Sequence, residues 1–272
     1  MNIGKIKLDR KWIAAGVAAL LIVCYLVILV VGKVVRAKRP AVVTDEYGQV
    51  IEGDDPLYGR AELLFYFRDN DGSGMIFTVS ARLDEHRLVI AALPDDKNYT
   101  MNGAAVSFGT VYAGGGLDGV KTAASIRAGV TFDRVYICTP AQFAKATGML
   151  GAVTVNVPEP FSYSDSTGAV NLKAGENSLS GSDLYLYLKH GCGDEISYEM
   201  RGDLFTAMIR RYLTTENTDK GEKLFGELVN AAQTDITAYD YSAWAERLAA
   251  AAASETLTVQ NAGLIGAGES EG

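Results

Sequence analysis

Glu62–Phe67 (ELLFYF), Met75–Ala81 (MIFTVSA) and Leu88–Leu93 (LVIAAL) are short runs of aliphatic, aromatic and β-branched residues separated by turn chemistry. Such runs predict three strands joined as hairpins. After the Gly114-Gly115-Gly116 break, Asp118–Ala128 has helical patterning; Arg134–Cys138 predicts a strand, Ala141–Met149 a helix and Ala152–Val157 another strand. Beyond Pro160 the sequence predicts a loop, then helices over Ser182–Leu188, Tyr198–Tyr212, Lys220–Ala232 and Tyr239–Ala253. Strands alternating with helices in this order predict an α/β fold: an αβα sandwich whose mixed central sheet is covered by helices.

Outward from this domain, Trp12–Val31 carries no charge. About twenty apolar residues at roughly 1.5 Å each suffice for a hydrocarbon core of about 30 Å, which predicts one N-terminal transmembrane helix. A signal peptide is the competing reading, but its apolar region is usually about 7–15 residues long, and Gly32-Lys33-Val34-Val35-Arg36 makes a poor cleavage site. The expected organisation is a short cytoplasmic tail over 1–11, a transmembrane helix over 12–32, a juxtamembrane linker over 33–59, a folded domain over 60–256 and a mobile tail over 257–272. Four Lys/Arg on each flank of the span leave its orientation undecided by charge.

The formal charge of −8 hides an asymmetry. Residues 1–40 hold eight basic side chains and one acid, so the remainder carries 17 basic against 32 acidic groups. A domain this acidic lacks the cationic footprint that neutralises phosphates along a polymer, which argues against nucleic acid as a partner. The only histidines are His86 and His190, and no Cys/His spacing resembles a zinc site. Cys138 and Cys192 could form a disulfide only if the fold joined them in an oxidising compartment; two separate thiols is the plainer reading.

An ordered set of segments is similar to the LytR-CpsA-Psr (LCP) domain of bacterial cell-envelope proteins. It runs through Met75–Ser80, Leu88–Asp96, Tyr112–Gly115 with Val120–Thr122, Phe132–Tyr136, Gly148–Pro158, Leu172–Gly175 and Leu179–Gly181. The resemblance implies an αβα domain held outside the cytoplasmic membrane on a single-pass anchor. Family enzymes transfer glycopolymers from a polyprenyl-pyrophosphate carrier to peptidoglycan, with arginines and a magnesium ion holding the pyrophosphate. The implied partners are therefore a polyprenyl-linked lipid or cell-wall glycopolymer and the membrane.

Carried onto this sequence, the resemblance assigns catalytic roles to Arg201 and Asp96, cofactor-binding positions to Asp194 and Pro94, and Mg2+ as the cofactor if the protein is active, otherwise none. Most of the expected cations are missing. Pro94-Asp95-Asp96 stands where the family has Pro-Arg-Asp; Leu188 and His190 occupy two arginine positions; Gly74 occupies that of a metal-binding Asp; and Arg201 is followed by Gly202 instead of completing an Arg-Gln pair. Losing one positioned transition-state donor costs roughly 10²- to 10³-fold in rate, so several losses predict a degenerate homologue that keeps scaffold and lipid pocket. A transferase with a rearranged site is the alternative, with Arg82, Arg87, Arg127 and Lys189 as replacement cations.

Asp69-Asn70-Asp71-Gly72-Ser73-Gly74 matches the first half of a calcium loop, which makes Asp69 and Asp71 candidate metal ligands. Position twelve is Ser80 instead of a bidentate Glu, and strands flank the loop, both of which favour a polar hairpin turn. The Gly114-Gly115-Gly116 run offers bare amides to a phosphate, or is a plain turn. Tyr185 and Tyr187, interleaved with leucines, read as core or pocket wall.

Overall fold

Strand β1 (Arg60–Arg68) sends alternate side chains to opposite faces, and both sets contain buried apolar residues, Ala61 and Phe67 on one face and Leu64 and Tyr66 on the other. Only a central strand covered on both faces can bury both sets. In a computed structural model it lies between β2 (Gly74–Arg82) and β6 (Arg134–Cys138), antiparallel to the first and parallel to the second. The structure describes residues 59–69, 72–94, 99–101, 104–191, 198–213, 217, 220–253 and 256–264. The expected cytoplasmic tail, membrane span and all but the last residue of the linker lie outside these. Among the described residues no helix is long and apolar enough to cross a membrane.

The sheet continues through β3 (Arg87–Leu93), antiparallel to β2, to β12 (Thr258–Leu264), parallel to β3; the two-residue β11 (Gln233–Thr234) borders β6 on the other edge. The order is therefore β11-β6-β1-β2-β3-β12, a mixed sheet. Thr258–Leu264 was expected within a mobile tail; it is an edge strand, and Val259 is buried in the core. Its small polar residues carry no local strand pattern, and its pairing is with a segment about 170 residues earlier. The expected loop after Pro160 is also corrected. It contains the hairpin β8 (Phe161–Asp165) and β9 (Gly168–Leu172), followed by β10 (Gly175–Leu179), which pairs with β7 (Val153–Val157). A further small hairpin joins β4 (Tyr99–Met101) to β5 (Ala104–Val106).

Helix α1 (Phe108–Ala128) covers one face of the sheet, packing Val120, Ala123 and Ala124 against Leu64, Tyr66 and Ile76. It is two helical stretches that meet at a kink: Gly116, the last residue of the expected triglycine break, leaves helical geometry at φ 57° and ψ −144°, a conformation open to glycine at little cost, and the expected helix over Asp118–Ala128 follows it. The opposite face is covered by α2 (Pro140–Leu150), α3 (Gly181–His190), α4 (Tyr198–Tyr212), α5 (Gly221–Asn230) and α6 (Ala238–Ala253). Thr139 starts α2 with a capping box, its hydroxyl accepting from the Gln142 amide while the Gln142 side chain accepts from the Thr139 amide at 2.9 Å. On this face Phe77 stacks on Phe205 with ring centroids 4.4 Å apart, and Phe67 meets Phe143 edge-on at 4.9 Å. Each such ring contributes about 1.5–3 kcal/mol through burial.

Helix α6 is fastened to the sheet by charge. Arg134 donates to both carboxylate oxygens of the fully buried Asp240, Nε at 2.8 Å and Nη2 at 2.9 Å. Asp240 also accepts from the Thr237 amide at 2.9 Å, closing the first turn of α6. Burial alone would raise the Asp240 carboxyl; hydrogen bonds from Arg134 and Thr237 outweigh it and hold it below the usual carboxylate range. Removing one partner of such a pair leaves an uncompensated charge, a loss of about 3 kcal/mol for a partly solvated guanidinium. Asp240→Ala is expected to lower the Tm by about 6–12 °C in calorimetry, at roughly 2–4 °C per kcal/mol for a domain of this size. A shift within 1 °C would show that α6 is held by packing alone.

Candidate functional site

Two features lie on the helix-rich side of the sheet: an apolar cavity and a charged cluster. The cavity measures about 390 Å³. Its floor is Leu63, Phe65 and Phe67 of β1, and its walls include Phe143 of α2, Phe205 and Met208 of α4, and Trp244 of α6. Helix α5 closes it with Leu224, Phe225 and Leu228, and contributes no fully buried residue of its own. An apolar void of this size falls within the range of small-molecule and lipid sites, about 300–1,000 Å³. Cys138 also lines it; its thiol is free, and burial pushes its pKa well up, so it behaves as a small apolar group. Cys192 lies outside the described residues.

The cluster forms where β1 ends. Asp69 opens the turn to β2, its amide donating to the Ser73 carbonyl at 2.7 Å, while the Gly72 amide donates back to the Asp69 carbonyl at 3.1 Å. These bonds close the hairpin turn between β1 and β2. The buried Asp69 carboxylate pairs with the ammonium of Lys189, in the last turn of α3. Arg201, in the first turn of α4 and 3% exposed, donates from Nη2 to the Lys189 carbonyl at 2.9 Å. A cation on a terminal carbonyl stabilises the end of a helix, so Arg201 fixes the turn that carries Lys189. Its guanidinium also lies over the Tyr198 ring at 5.9 Å. One helical turn along α4 from Arg201 is Phe205, and two residues before Asp69 is Phe67, so the same elements carry the cluster and the cavity wall.

Of the residues expected at the site, Asp69 and Arg201 are brought together, with Lys189 between them. Pro94 is buried at the end of β3, two strands from β1. Asp71, Asp96 and Asp194 lie outside the described residues. Among the replacement cations, only Lys189 is placed in the cluster. Arg82 pairs with Glu62 at 2.6 Å and Arg87 with Glu85 at 2.7 Å, near the opposite end of β2 and β3. Leu188 is fully buried in the core and faces no ligand. Nothing local in the sequence marks Lys189, because its partner is 120 residues away.

Among the described residues no group of three or more His, Cys, Asp or Glu side chains converges. At Gly74 a Cβ would stand 2.7 Å from the Tyr66 ring, so no carboxylate fits there without displacement. Asp69 already holds an ammonium.

Beside the cluster, His190 stacks on Tyr163 of β8, with centroids 3.8 Å apart and planes 18° from parallel. Its Nε2 lies 4.0 Å from Asp165, beyond hydrogen-bond reach. Burial and the positive charge of Lys189 lower the His190 pKa, with Asp165 acting in the other direction. Fully buried Tyr185 has a hydroxyl with no hydrogen-bond partner, and burial followed by the Asp69 charge raises its pKa.

The LytR_cpsA_psr family profile matches residues 47–270 of the chain. No curated protein matches it in sequence. Among solved structures, a Eubacterium siraeum protein described as a transcription regulator is 16% identical, covering 82% of this chain and 92% of its own, with a TM-score of 0.64. TagV of B. subtilis is 16% identical, with coverages of 75% and 84% and a TM-score of 0.59. TagT bound to LIIa-WTA is 16% identical, with coverages of 81% and 86% and a TM-score of 0.56. At these identities the likeness establishes a shared fold.

The stacked histidine gives a pH signature. With its folded pKa lowered, His190 stays neutral in the native state while the unfolded chain binds a proton near 6.5. Stability is therefore lost as pH falls through about 6.5, and the loss levels off below the folded value. Between pH 7.5 and 5 the Tm of the wild type is expected to fall more steeply than that of His190→Phe, which keeps the stack and cannot titrate. Parallel curves would contradict the assignment.

Proposed function

The chain belongs to the LytR-CpsA-Psr family, and from that premise we propose that it is a membrane-anchored protein of bacterial cell-envelope assembly that binds a polyprenyl-(pyro)phosphate lipid or envelope glycopolymer without transferring it. In this reading residues 12–32 anchor the chain and the domain lies outside the membrane. The observation that carries the proposal is the cavity of about 390 Å³ with its almost wholly apolar lining, floored by the strand at whose end Lys189 sits on Asp69. Hydrocarbon enters the cavity for the hydrophobic gain, about 0.8 kcal/mol per buried methylene, while the charged head stays with Lys189 at the end of β1.

The same cluster supports binding over transfer. Phosphoryl transfer needs fixed positive groups at oxygens where charge develops, several at once. Here Leu188 is in the core, His190 is neutral against Tyr163, and Arg201 is committed to the carbonyl of Lys189. The alternative, a transferase with a rearranged site, differs in its products.

Purified protein mixed with geranylgeranyl pyrophosphate is expected to retain the lipid at about one per chain and to release no phosphate, with or without magnesium. Leu224→Trp, which fills the cavity from α5, is expected to cut retention at least tenfold while the unliganded Tm is kept or raised. Magnesium-dependent release of product that Arg201→Ala abolishes would establish the transferase instead. Failure to retain either lipid or glycopolymer would remove both readings.

A further inference from the structure

The position and partner of Lys189 say more about the head-group site. We infer that Lys189 is its resident cation: the ammonium held on Asp69 takes the place of a divalent metal, so the site accepts a phosphoryl or pyrophosphoryl group without one. This rests on the binding function proposed above and adds how the charge of the ligand is met.

Three observations converge on it. The carboxylate expected to ligate metal, Asp69, is 8% exposed and already neutralised by Lys189. The position expected to supply a metal-binding carboxylate, Gly74, has no room for a side chain beside Tyr66. Lys189 is fixed from both ends, its side chain by Asp69 and its carbonyl by Arg201 at 2.9 Å, so the ammonium is held in place before any ligand arrives. An ammonium carries three donors, and Asp69 engages one. The Lys189 side chain keeps 16% of its surface exposed, which leaves the others a path to an incoming anion. Charge-assisted hydrogen bonds to phosphate oxygens are roughly twice as strong as neutral ones, and a preordered donor loses little entropy in making them.

Two measurements on the full chain test this. Mn2+ electron paramagnetic resonance reads the metal directly, whatever the lipid. The wild type is expected to leave the free Mn2+ signal undiminished, and Lys189→Met, which uncovers Asp69, to bind the ion. Mn2+ bound by the wild type and lost in Asp69→Asn overturns the inference. Calorimetric titration with inorganic pyrophosphate and with geranylgeranyl pyrophosphate reads the anion, the first probing the head-group site alone and the second adding the cavity. Wild-type affinities are expected to agree within twofold between EDTA and magnesium. Lys189→Met is expected to weaken both ligands at least tenfold in EDTA, about 1.4 kcal/mol, and Lys189→Arg to retain them.

Binding that disappears in EDTA, or a Lys189→Met protein that binds as tightly as the wild type, overturns the inference. Should Lys189→Met fail to fold, the double variant with Asp69→Asn removes both charges, and it is expected to show the same loss of pyrophosphate affinity; wild-type affinity in it would also overturn the inference. If the lipid fails to bind under any condition, the proposed function falls, and the Mn2+ signal still decides the role of Lys189.

Discussion

The constraint on which the molecule depends is that β1 is apolar on both faces and charged at its end. Between β6 and β2 it can have no edge, so each face needs a cover. Leu64 and Tyr66 receive a close one from α1. Leu63, Phe65 and Phe67 face helices that leave space above them, and that space is the cavity. Side chains lining a void forgo dispersion contacts, so an apolar cavity of this size lowers stability unless something fills it. The ion pair of Arg134 with Asp240 offsets part of that loss, because it holds α6 against the sheet where packing is incomplete. Emptiness on one face and a buried charge pair beside it are thus two sides of one arrangement.

The charged end of β1 meets a related problem. Asp69 follows the aromatic Phe67 into a buried turn, where an unpaired carboxylate would be costly. Lys189 supplies the counter-charge, and Arg201 secures the helix end from which Lys189 reaches. Among its described contacts, Arg201 thus holds the helix end that carries Lys189.

The parts of this fold legible in the sequence are those whose pattern is local. Strands β1 to β3, β6 and α4 fall within a residue or two of expectation because alternation or helical spacing is continuous through each. The hairpin of β8 and β9 was hidden because Phe161-Ser-Tyr-Ser-Asp165 alternates partly buried aromatics with exposed serines, which composition alone reads as loop. Strand β12 was hidden because what makes Thr258–Leu264 a strand is its parallel pairing with β3, not its own residues. The site divides in the same way. Asp69 and Arg201 could be singled out by motif and family resemblance, whereas Lys189 gains its meaning only when α3 is folded back over the end of β1.

That division bears on how unequally substitutions affect binding and transfer. Affinity for a long hydrocarbon accumulates over many weak contacts, so exchanging any single wall residue changes it by about a kcal/mol or two. Catalysis of phosphoryl transfer concentrates its energy in a few cations, each worth roughly 10²- to 10³-fold in rate. Substitutions at two or three positions therefore abolish turnover while leaving most of the binding energy in place. A glycine at 74 and a leucine at 188 are accommodated in buried, well-packed surroundings without disturbing the sheet. On the function proposed above, the lysine at 189 meets the remaining electrostatic requirement, because a single fixed ammonium is enough to hold an anion but too little to stabilise the charge spread over a transferring phosphoryl group.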